Sequence, residues 1–353
     1  MDILPEDIEL MVRFLGPDDP AIRRLVKVYI SDTKMRQTVR NLLKRRCVRA
    51  GFDPDDPPVF WPVRELPPGQ LRMGRVTQGA LPGPNFALPA EVMTQHLGIF
   101  GHNGIGKTYL AMHLAKQAIQ EGMLLWIFDI EDEYSRLSPA LPAGTLVGLE
   151  PEQLRLNLFQ PPGEWISPAR WLDELSLLLR GGTFLRDGSL NIFRIGMAKL
   201  LERKGITTGG TNWPSLLEVI EHFQGMSFGP KSRSAGFIES LLNRLVTLAV
   251  IFDQTVQVTN SDMLSSLYQR SVIFRLHGLT GIPLQFLVSF LLLWLARFRE
   301  GVSNDKPHVV IIEEAHMLAS EKARQDIGES VLCRMFRARK KRYCAYIVRS
   351  GAQ

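Results

Sequence analysis

The sequence predicts an α/β protein in which a parallel sheet is covered on both faces by helices. Several short apolar runs lack the alternation that is typical of half-buried strands, and segments with helical spacing separate them. The chain has 353 residues, which is long enough for one large domain or two ordinary ones. Its hydrophobic content of 45% and charged content of 22% are ordinary for a globular protein and exclude a disordered chain.

Residues 1–53 predict a small helical region that carries many basic side chains. Two interpretations of these side chains stay open: a solvated helix face, or a patch that contacts nucleic acid or another partner. Residues 54–70 contain too many prolines for a helix or a central strand, so they predict a linker. The main domain is therefore expected to occupy residues 71–353. The basic side chains of the first region are Arg36, Arg40, Lys44, Arg45, Arg46 and Arg49.

Apolar segments of the main domain predict its strands, and helical segments lie between them. The helical stretch between about 165 and 255 is too long for one crossover connection and indicates a helical insertion. The most apolar stretch, 282–298, is interrupted by Gln285 and Arg297 and predicts a buried helix rather than a membrane span. A further helix is expected from about residue 321. The predicted strands are 97–100, 123–130, 271–277, 309–312 and 343–348.

Composition narrows the functional classes. The net charge of +6 and the pI near 9.3 give weak support for a polyanionic partner. The three cysteines are too few for a disulfide scaffold and lack the paired spacing of a zinc site, which fits a reducing, cytosolic compartment. The acidic N-terminus has no apolar segment of the kind found in signal peptides. We therefore expect a cytoplasmic protein that is not embedded in a membrane.

The strongest local signal follows the first apolar strand of the main domain. Residues 101–108 read Gly-His-Asn-Gly-Ile-Gly-Lys-Thr and match the P-loop pattern G-x-x-x-x-G-K-[ST]. The glycines let the backbone wrap a phosphate, and the following helix presents its positive N-terminus to the same anion. Lys107 is expected to reach the β- and γ-phosphates, and the Thr108 hydroxyl is expected to bind Mg²⁺. The predicted nucleotide-binding residues are Gly101, His102, Asn103, Gly104, Ile105, Gly106, Lys107, Thr108 and Tyr109.

Two adjacent acids follow the apolar strand 309–312. A P-loop enzyme needs one acid at a neighbouring strand end for the Mg²⁺ shell and a second group to polarise water. Because alternate strand residues point to opposite sides, Glu313 is expected to face the metal and Glu314 to reach the attacking water. A glutamate directly after the metal-side acid is typical of NTPases that have an extra strand between the two motif strands. It argues against the GTPase and nucleotide-kinase branches.

Besides the P-loop, five segments carry a further pattern: 95–100, 127–134, 156–162, 313–316 and 345–353. Together these segments resemble the HerA/FtsK superfamily of hexameric DNA-pumping ATPases, above all its HerA-type and conjugative type IV secretion members. The order and spacing of these segments agree with those of the family over residues 71–353. The resemblance implies a RecA-like P-loop ATPase core that uses ATP and Mg²⁺, and it implies that Gln353 senses the γ-phosphate. The sequence departs from the family in Glu313, which replaces the usual Asp, and in residues 1–53, which show no counterpart of the HerA N-terminal β-barrel.

A basic run precedes the last predicted strand. It is open to three interpretations: a solvated helix end that the helix dipole favours, an arginine finger for a neighbouring subunit's γ-phosphate, or a contact with the DNA backbone. In the resembling family this segment faces the subunit interface, so Arg337 and Arg339 are the finger candidates. The run consists of Arg334, Arg337, Arg339, Lys340, Lys341 and Arg342.

These observations and the resemblance together predict an ATP-hydrolysing motor that translocates on or unwinds double-stranded DNA. A ring is expected, a hexamer above all, because an arginine supplied in trans leaves each isolated site incomplete. A nuclease or another effector protein is an expected partner. Two alternatives stay open: a conjugative or type IV secretion-like ATPase that drives a protein complex, and an ATP-binding switch or scaffold that hydrolyses ATP weakly.

Overall fold

The computed structural model describes residues 4–55, 66, 68–78, 81–90, 96–102, 104–183, 185–226, 232–302, 307–315 and 344–351, the last range for its backbone. Two compact units divide the chain, Met1–Pro89 and Ala90–Gln353. In the described part of the chain, the first unit holds three helices and a hairpin, and the second holds the large sheet with its helices. The fold is the predicted α/β class with a small helical N-terminal region.

Three helices form the core of the first unit: α1 (Glu6–Leu15), α2 (Pro20–Ser31) and α3 (Arg36–Arg49). Asp19 caps α2, because its carboxylate accepts hydrogen bonds from the backbone N–H groups of Ala21 and Ile22. The helices meet through one apolar side each. The side chains buried there are Ile8, Met11, Ile22, Tyr29, Val39, Leu43, Cys47 and Phe52.

A two-stranded antiparallel hairpin completes the first unit. Its strands are β1 (Leu71–Gln78) and β2 (Leu81–Leu88), neither of which the apolar pattern predicted. The pairing shifts register twice, between Arg72 and Gly74 and between Arg75 and Thr77, so no regular alternation marks these strands in the sequence. The division of the chain falls after this hairpin, at Pro89, whereas the main domain was expected to begin at 71. That expected domain start stays a prediction.

The second unit is built on a six-stranded sheet in the order β3-β8-β7-β4-β6-β5, with every neighbouring pair parallel. This confirms the predicted parallel sheet. One strand, β8, lies between β3 and β7, as the pair of acids after 309–312 indicated. The strands are β3 (Leu97–Gly101), β4 (Leu124–Asp129), β5 (Leu146–Leu149), β6 (Ser271–Arg275), β7 (His308–Ile312) and β8 (Cys344–Gly351).

Helices of the second unit pack around a large apolar core. The predicted insertion is a group of four, α5 to α8, and the most apolar helix, α10, packs against α5 and is largely buried as predicted. Trp294 on α10 stacks near Trp126 on β4, with 6.3 Å between their ring centroids. The helices are α4 (Lys107–Gln120), α5 (Pro168–Thr183), α6 (Asp187–Arg203), α7 (Leu216–Gln224), α8 (Arg233–Phe252), α9 (Met263–Tyr268) and α10 (Gly281–Gly301).

Two segments, Arg233–Val256 and Gly281–Gly301, are long and apolar enough to cross a membrane by length and composition alone. In the most apolar window of the second, 61% of the residues are buried inside the protein. A helix that is buried in this way is expected to be apolar on most sides whether or not a membrane is present. The helix expected from about 321 lies outside the described residues.

Candidate nucleotide-binding site

The predicted P-loop connects β3 to α4 and has the backbone of an anion cradle. Gly104 and Gly106 have φ angles of 78° and 96°, which lie in the left-handed region that favours glycine. Gly106 is the N-cap residue directly before α4, and it offers no side chain to cap the helix. The first turn of α4 also carries no acidic residue. The N–H groups at this helix end are therefore free to bind an external anion.

Lys107 is held against the same loop. Its side chain is almost fully buried, with 4% of the residue exposed. The Nζ atom donates hydrogen bonds to the backbone oxygens of Gly101 at 2.8 Å and His102 at 3.0 Å. These neutral oxygens do not cancel its charge, so the cradle holds a cation beside the helix N-terminus. That arrangement fits the phosphates of a nucleotide.

Several other predicted nucleotide-binding residues lie around this cradle. Thr108 is the second residue of α4, so its hydroxyl is placed at the helix end where the predicted Mg²⁺ would lie. Ile105 and Tyr109 are exposed by 69% and 76%, so their side chains flank the cradle from outside. Asn103 lies outside the described residues.

Glu313 and Glu314 follow directly after β7, and both are buried, with 0% and 8% of each residue exposed. The strand ends at Ile312, and Glu314 has a left-handed backbone with a φ of 46°. The expected strand-like alternation of the two side chains is therefore replaced by a turn. A non-glycine residue in this conformation is strained, and such strain is concentrated at functional sites.

The register of the sheet places the P-loop and the two acids at the same edge. Val348 on β8 is paired with Gly98 on β3 and with Ile312 on β7, so the carboxyl ends of the three parallel strands lie at the same edge, and β3 and β8 extend three residues beyond β7. Adjacent strands lie about 4.8 Å apart, which puts β3 and β7 roughly 10 Å from each other. The P-loop and the acids thus lie at one edge of the sheet, on either side of the carboxyl end of β8, and this edge is called here the cleft.

Asp129 is a site residue to which the sequence analysis gave no role. It ends β4, directly beside Glu313, because Phe128 is paired with Ile312 one residue earlier. Asp129 has no exposed surface, and its carboxylate accepts hydrogen bonds from the backbone N–H groups of Glu133 at 3.1 Å and Tyr134 at 2.9 Å. A side-chain hydrogen bond joins it to Glu313. Asp129 therefore ties the turn after β4 to the acid of β7.

Burial raises the pKa of the Asp129 carboxyl, and the hydrogen bonds from Glu313 and from the two backbone N–H groups oppose this rise. Two neighbouring carboxyl groups in a buried place do not both ionise easily. The backbone N–H of Glu131 also donates to Glu313 Oε2 at 3.3 Å. The orientation of Glu313 is thus fixed from the β4 side.

Glu131 and Glu133 bring further carboxylates to Glu313. One oxygen from each of the three residues lies within 4.8 Å of the others. Carboxylate oxygens are the protein ligands that Mg²⁺ prefers, and the Thr108 hydroxyl adds an oxygen ligand at the P-loop. The donor set at this sheet edge therefore fits a divalent cation. The signal for it was present in the sequence, as four acids within five residues at the end of a strand, 129–133.

The remaining predicted site residues cannot be placed in this cleft. Arg337, Arg339 and Gln353 lie outside the described residues, as does the rest of the basic run 334–342. The backbone of β8 ends at Gly351, two residues before Gln353, at the edge of the sheet between the P-loop and the acids. The roles of these three residues stay predictions.

Asn157, in one of the segments that resemble the family, is buried away from the P-loop and links distant parts of the chain. Its Nδ2 donates to the backbone oxygens of Pro214, Val258 and Thr259 at 3.1, 3.0 and 2.5 Å. Its Oδ1 accepts hydrogen bonds from the backbone N–H groups of residues 159 and 160. These bonds give Asn157 an architectural role that requires both ends of an amide.

Comparison with known proteins agrees with this geometry. A family model described as "Helicase HerA, central domain" matches residues 72–167, a range that includes the P-loop and the acidic turn after β4. No curated protein matches the chain significantly in sequence.

Solved structures share the fold. VirB4 of Thermoanaerobacter pseudethanolicus is 19% identical with a TM-score of 0.58, and the match covers 80% of this chain and 77% of VirB4. The bacterial conjugative coupling protein TrwBdeltaN70 is 16% identical with a TM-score of 0.51, and the match covers 78% of this chain and 65% of that one. TrwB in complex with ADP and Mg²⁺ is also 16% identical, with a TM-score of 0.51, 74% of this chain covered and 66% of TrwB.

Proposed function

We propose that this chain, which belongs to the HerA/FtsK superfamily of P-loop ATPases, is an ATP-hydrolysing motor that acts on double-stranded DNA as a ring. The observation that supports ATP hydrolysis best is the single cleft at the carboxyl edge of the sheet. There a buried lysine lies in an anion cradle at one side, and two buried glutamates lie at the other. A nucleotide-binding scaffold without chemistry would not need Glu314 to be buried in a strained conformation.

Each residue of the cleft has a proposed role. Lys107 and the N–H groups of α4 hold the phosphates, while Thr108 and Glu313 hold Mg²⁺. The bound cation neutralises charge that develops on the phosphates. Glu314 orients water for in-line attack and accepts its proton.

The ring depends on residues that other subunits supply. Arg337 or Arg339 is proposed to reach the γ-phosphate of a neighbouring subunit, and Gln353 is proposed to sense that phosphate. Arg337→Ala or Arg339→Ala, whichever removes the finger, should abolish turnover and leave ATP affinity unchanged. Mixing such a variant with the Lys107→Ala variant should restore part of the activity, because an intact arginine then serves a neighbour's intact P-loop. The ring is further proposed to be a hexamer that works in the cytoplasm and has an effector protein, such as a nuclease, as its partner.

DNA stimulation of ATP turnover tests the choice of substrate. Steady-state ATP hydrolysis should rise when duplex DNA is added, and the stimulation should weaken steeply as salt increases, since each phosphate contact releases counterions. Light scattering in the presence of ATP and Mg²⁺ should report a ring. The proposal would be contradicted if the protein were a monomer at every concentration tested, hydrolysed ATP without assembling, and showed the same turnover with and without duplex DNA.

The second candidate is an ATPase of a conjugative or secretion system. The likeness to TrwBdeltaN70 supports it, because that protein is described as a bacterial conjugative coupling protein. The same cleft chemistry would then drive a protein complex. Turnover that a purified partner protein stimulates, and that duplex DNA leaves unchanged at low salt, would favour this candidate over the first.

A further inference from the structure

The first unit has a strongly uneven distribution of charge. Between Pro20 and Arg49 the chain carries ten Lys or Arg residues and only one acid, Asp32. Helix α1, by contrast, contains three acidic residues and one basic residue, Arg13. Most of the basic excess of the first unit therefore lies in α2, α3 and the turn between them.

Helix α3 presents part of this charge on an open surface. Val39, Leu43 and Cys47 face the core of the first unit, four residues apart. The other side of the helix lines a groove of about 550 Å³. The groove, called here the α3 groove, is lined by Asn41, Lys44, Arg45, Val48 and Arg49.

The basic side chains of α3 differ in their partners. Arg40 forms an ion pair with Asp7 at 2.7 Å, and Lys44 forms one with Asp55. Among the described residues, Arg45 and Arg49 have neither a carboxylate nor a hydrogen-bond acceptor for their guanidinium groups. The two residues lie one helical turn apart, which is about 6 Å along the axis. They offer a pair of solvated, permanent cations in a concave surface.

We propose that the α3 groove binds the phosphate backbone of double-stranded DNA, an inference that rests on the proposed function and adds a second DNA contact outside the ATPase unit. Duplex DNA offers closely spaced negative charge along its whole length, and guanidinium groups bind phosphate oxygens through paired N–H donors. Asn41 adds a further hydrogen-bond donor.

The composition of the α3 groove distinguishes duplex DNA from other polyanions. Among the described residues, no aromatic side chain on which an unpaired base would stack lines the groove, which favours a duplex over a single strand. Val48 is its one apolar lining residue among those described, whereas a protein partner would need a larger apolar anchor. Binding through phosphates alone carries no base preference.

The test uses the full chain and fluorescence anisotropy with a labelled 30-base-pair duplex of mixed sequence, without nucleotide. In the double variant Arg45→Gln/Arg49→Gln, the plot of log K against log salt concentration should become less steep by about 1.8. If the variant and the wild type bind equally at 1 M salt, this is roughly a 60-fold loss of affinity at 0.1 M salt. Arg45→Lys/Arg49→Lys keeps both charges and should keep the wild-type slope. A lysine variant that loses the slope as the glutamine variant does would overturn the charge argument.

The matched control is Arg170→Gln/Arg194→Gln, which removes two charges from helices of the second unit where both arginines already form ion pairs. It should bind DNA like the wild type. If the α3 variant binds as tightly as this control, the α3 groove is not a DNA site, although the motor function stands. If the α3 variant loses binding but DNA does not stimulate ATP turnover, the groove stands and the motor proposal fails. A wild-type chain that does not bind duplex DNA at low salt overturns both.

Discussion

Replacing Asp129 with Asn should destabilise the second unit although the two side chains have the same shape. The Asp129 carboxylate accepts one backbone N–H on each oxygen, from Glu133 and from Tyr134. Asparagine keeps one oxygen that accepts a hydrogen bond. Its second terminal group is an NH₂, which is a donor and cannot accept a hydrogen bond from the other backbone N–H. One buried N–H therefore loses its partner, in a place where water does not reach it.

A hydrogen bond to a charged group contributes about 1.5–3 kcal/mol, so Asp129→Asn should lower the free energy of unfolding by about that amount. Asp129→Ala leaves both N–H groups without an acceptor and should cost roughly twice as much. The Mg²⁺ concentration that gives half-maximal ATP turnover should rise in both variants, because Glu313 loses its hydrogen bond with the Asp129 carboxyl group.

Urea unfolding followed by tryptophan fluorescence measures the stability change, since five of the six tryptophans belong to the second unit. The control is Asp132→Asn in the same turn, where the side chain is exposed and asparagine accepts the left-handed backbone. It should stay within about 0.5 kcal/mol of the wild type. Equal stabilities for Asp129→Asn and the control would show that Asp129 does not hold this turn.

Two further variants test the buried polar groups of the second unit. Burial lowers the pKa of His308 well below 6.5 in the folded chain. Below pH 6.5 the unfolded chain therefore takes up a proton that the folded chain does not. The free energy of unfolding should fall by about 1.4 kcal/mol per pH unit until the pH reaches the pKa of the folded chain. His308→Leu should remove this slope in urea unfolding between pH 5 and 6.5, and an unchanged slope would assign it to other groups. Asn157→Asp should lower the free energy of unfolding by about 3 kcal/mol or more in the same assay at pH 7, because a carboxylate would face three carbonyl oxygens. A decrease of less than about 1 kcal/mol would contradict the architectural role.

The parts of the fold that the sequence predicts are those that local patterns determine. The P-loop has a fixed spacing of glycines, and its left-handed φ angles at Gly104 and Gly106 follow from that spacing. Strands β3, β4, β6 and β7 are continuous apolar runs because helices cover both faces of the sheet. Helix α10 is apolar on most sides because it is largely buried.

The parts that the sequence does not predict depend on distant contacts or on short elements. The contact of Asp129 with Glu313 arises from the pairing of β4 with β7, which are separated by more than half of the chain. Strand β5 has four residues and helix α9 has six, so neither gives a periodic signal. The hairpin β1–β2 has an irregular register. The turn at Glu314 depends on a backbone conformation that a glutamate rarely adopts.

Hydrolysis of ATP by this cleft is tested most directly by one comparison, ATP binding and turnover in Glu314→Gln. The amide keeps the size of the side chain and cannot accept a proton from water. The variant should bind ATP with Mg²⁺ as the wild type does, whereas turnover should fall by about 10²–10⁴-fold. Lys107→Ala, measured beside it, should lose ATP affinity as well. Wild-type turnover in Glu314→Gln, in a folded protein that still binds ATP, would contradict the assignment of Glu314 and the hydrolytic mechanism proposed for this cleft.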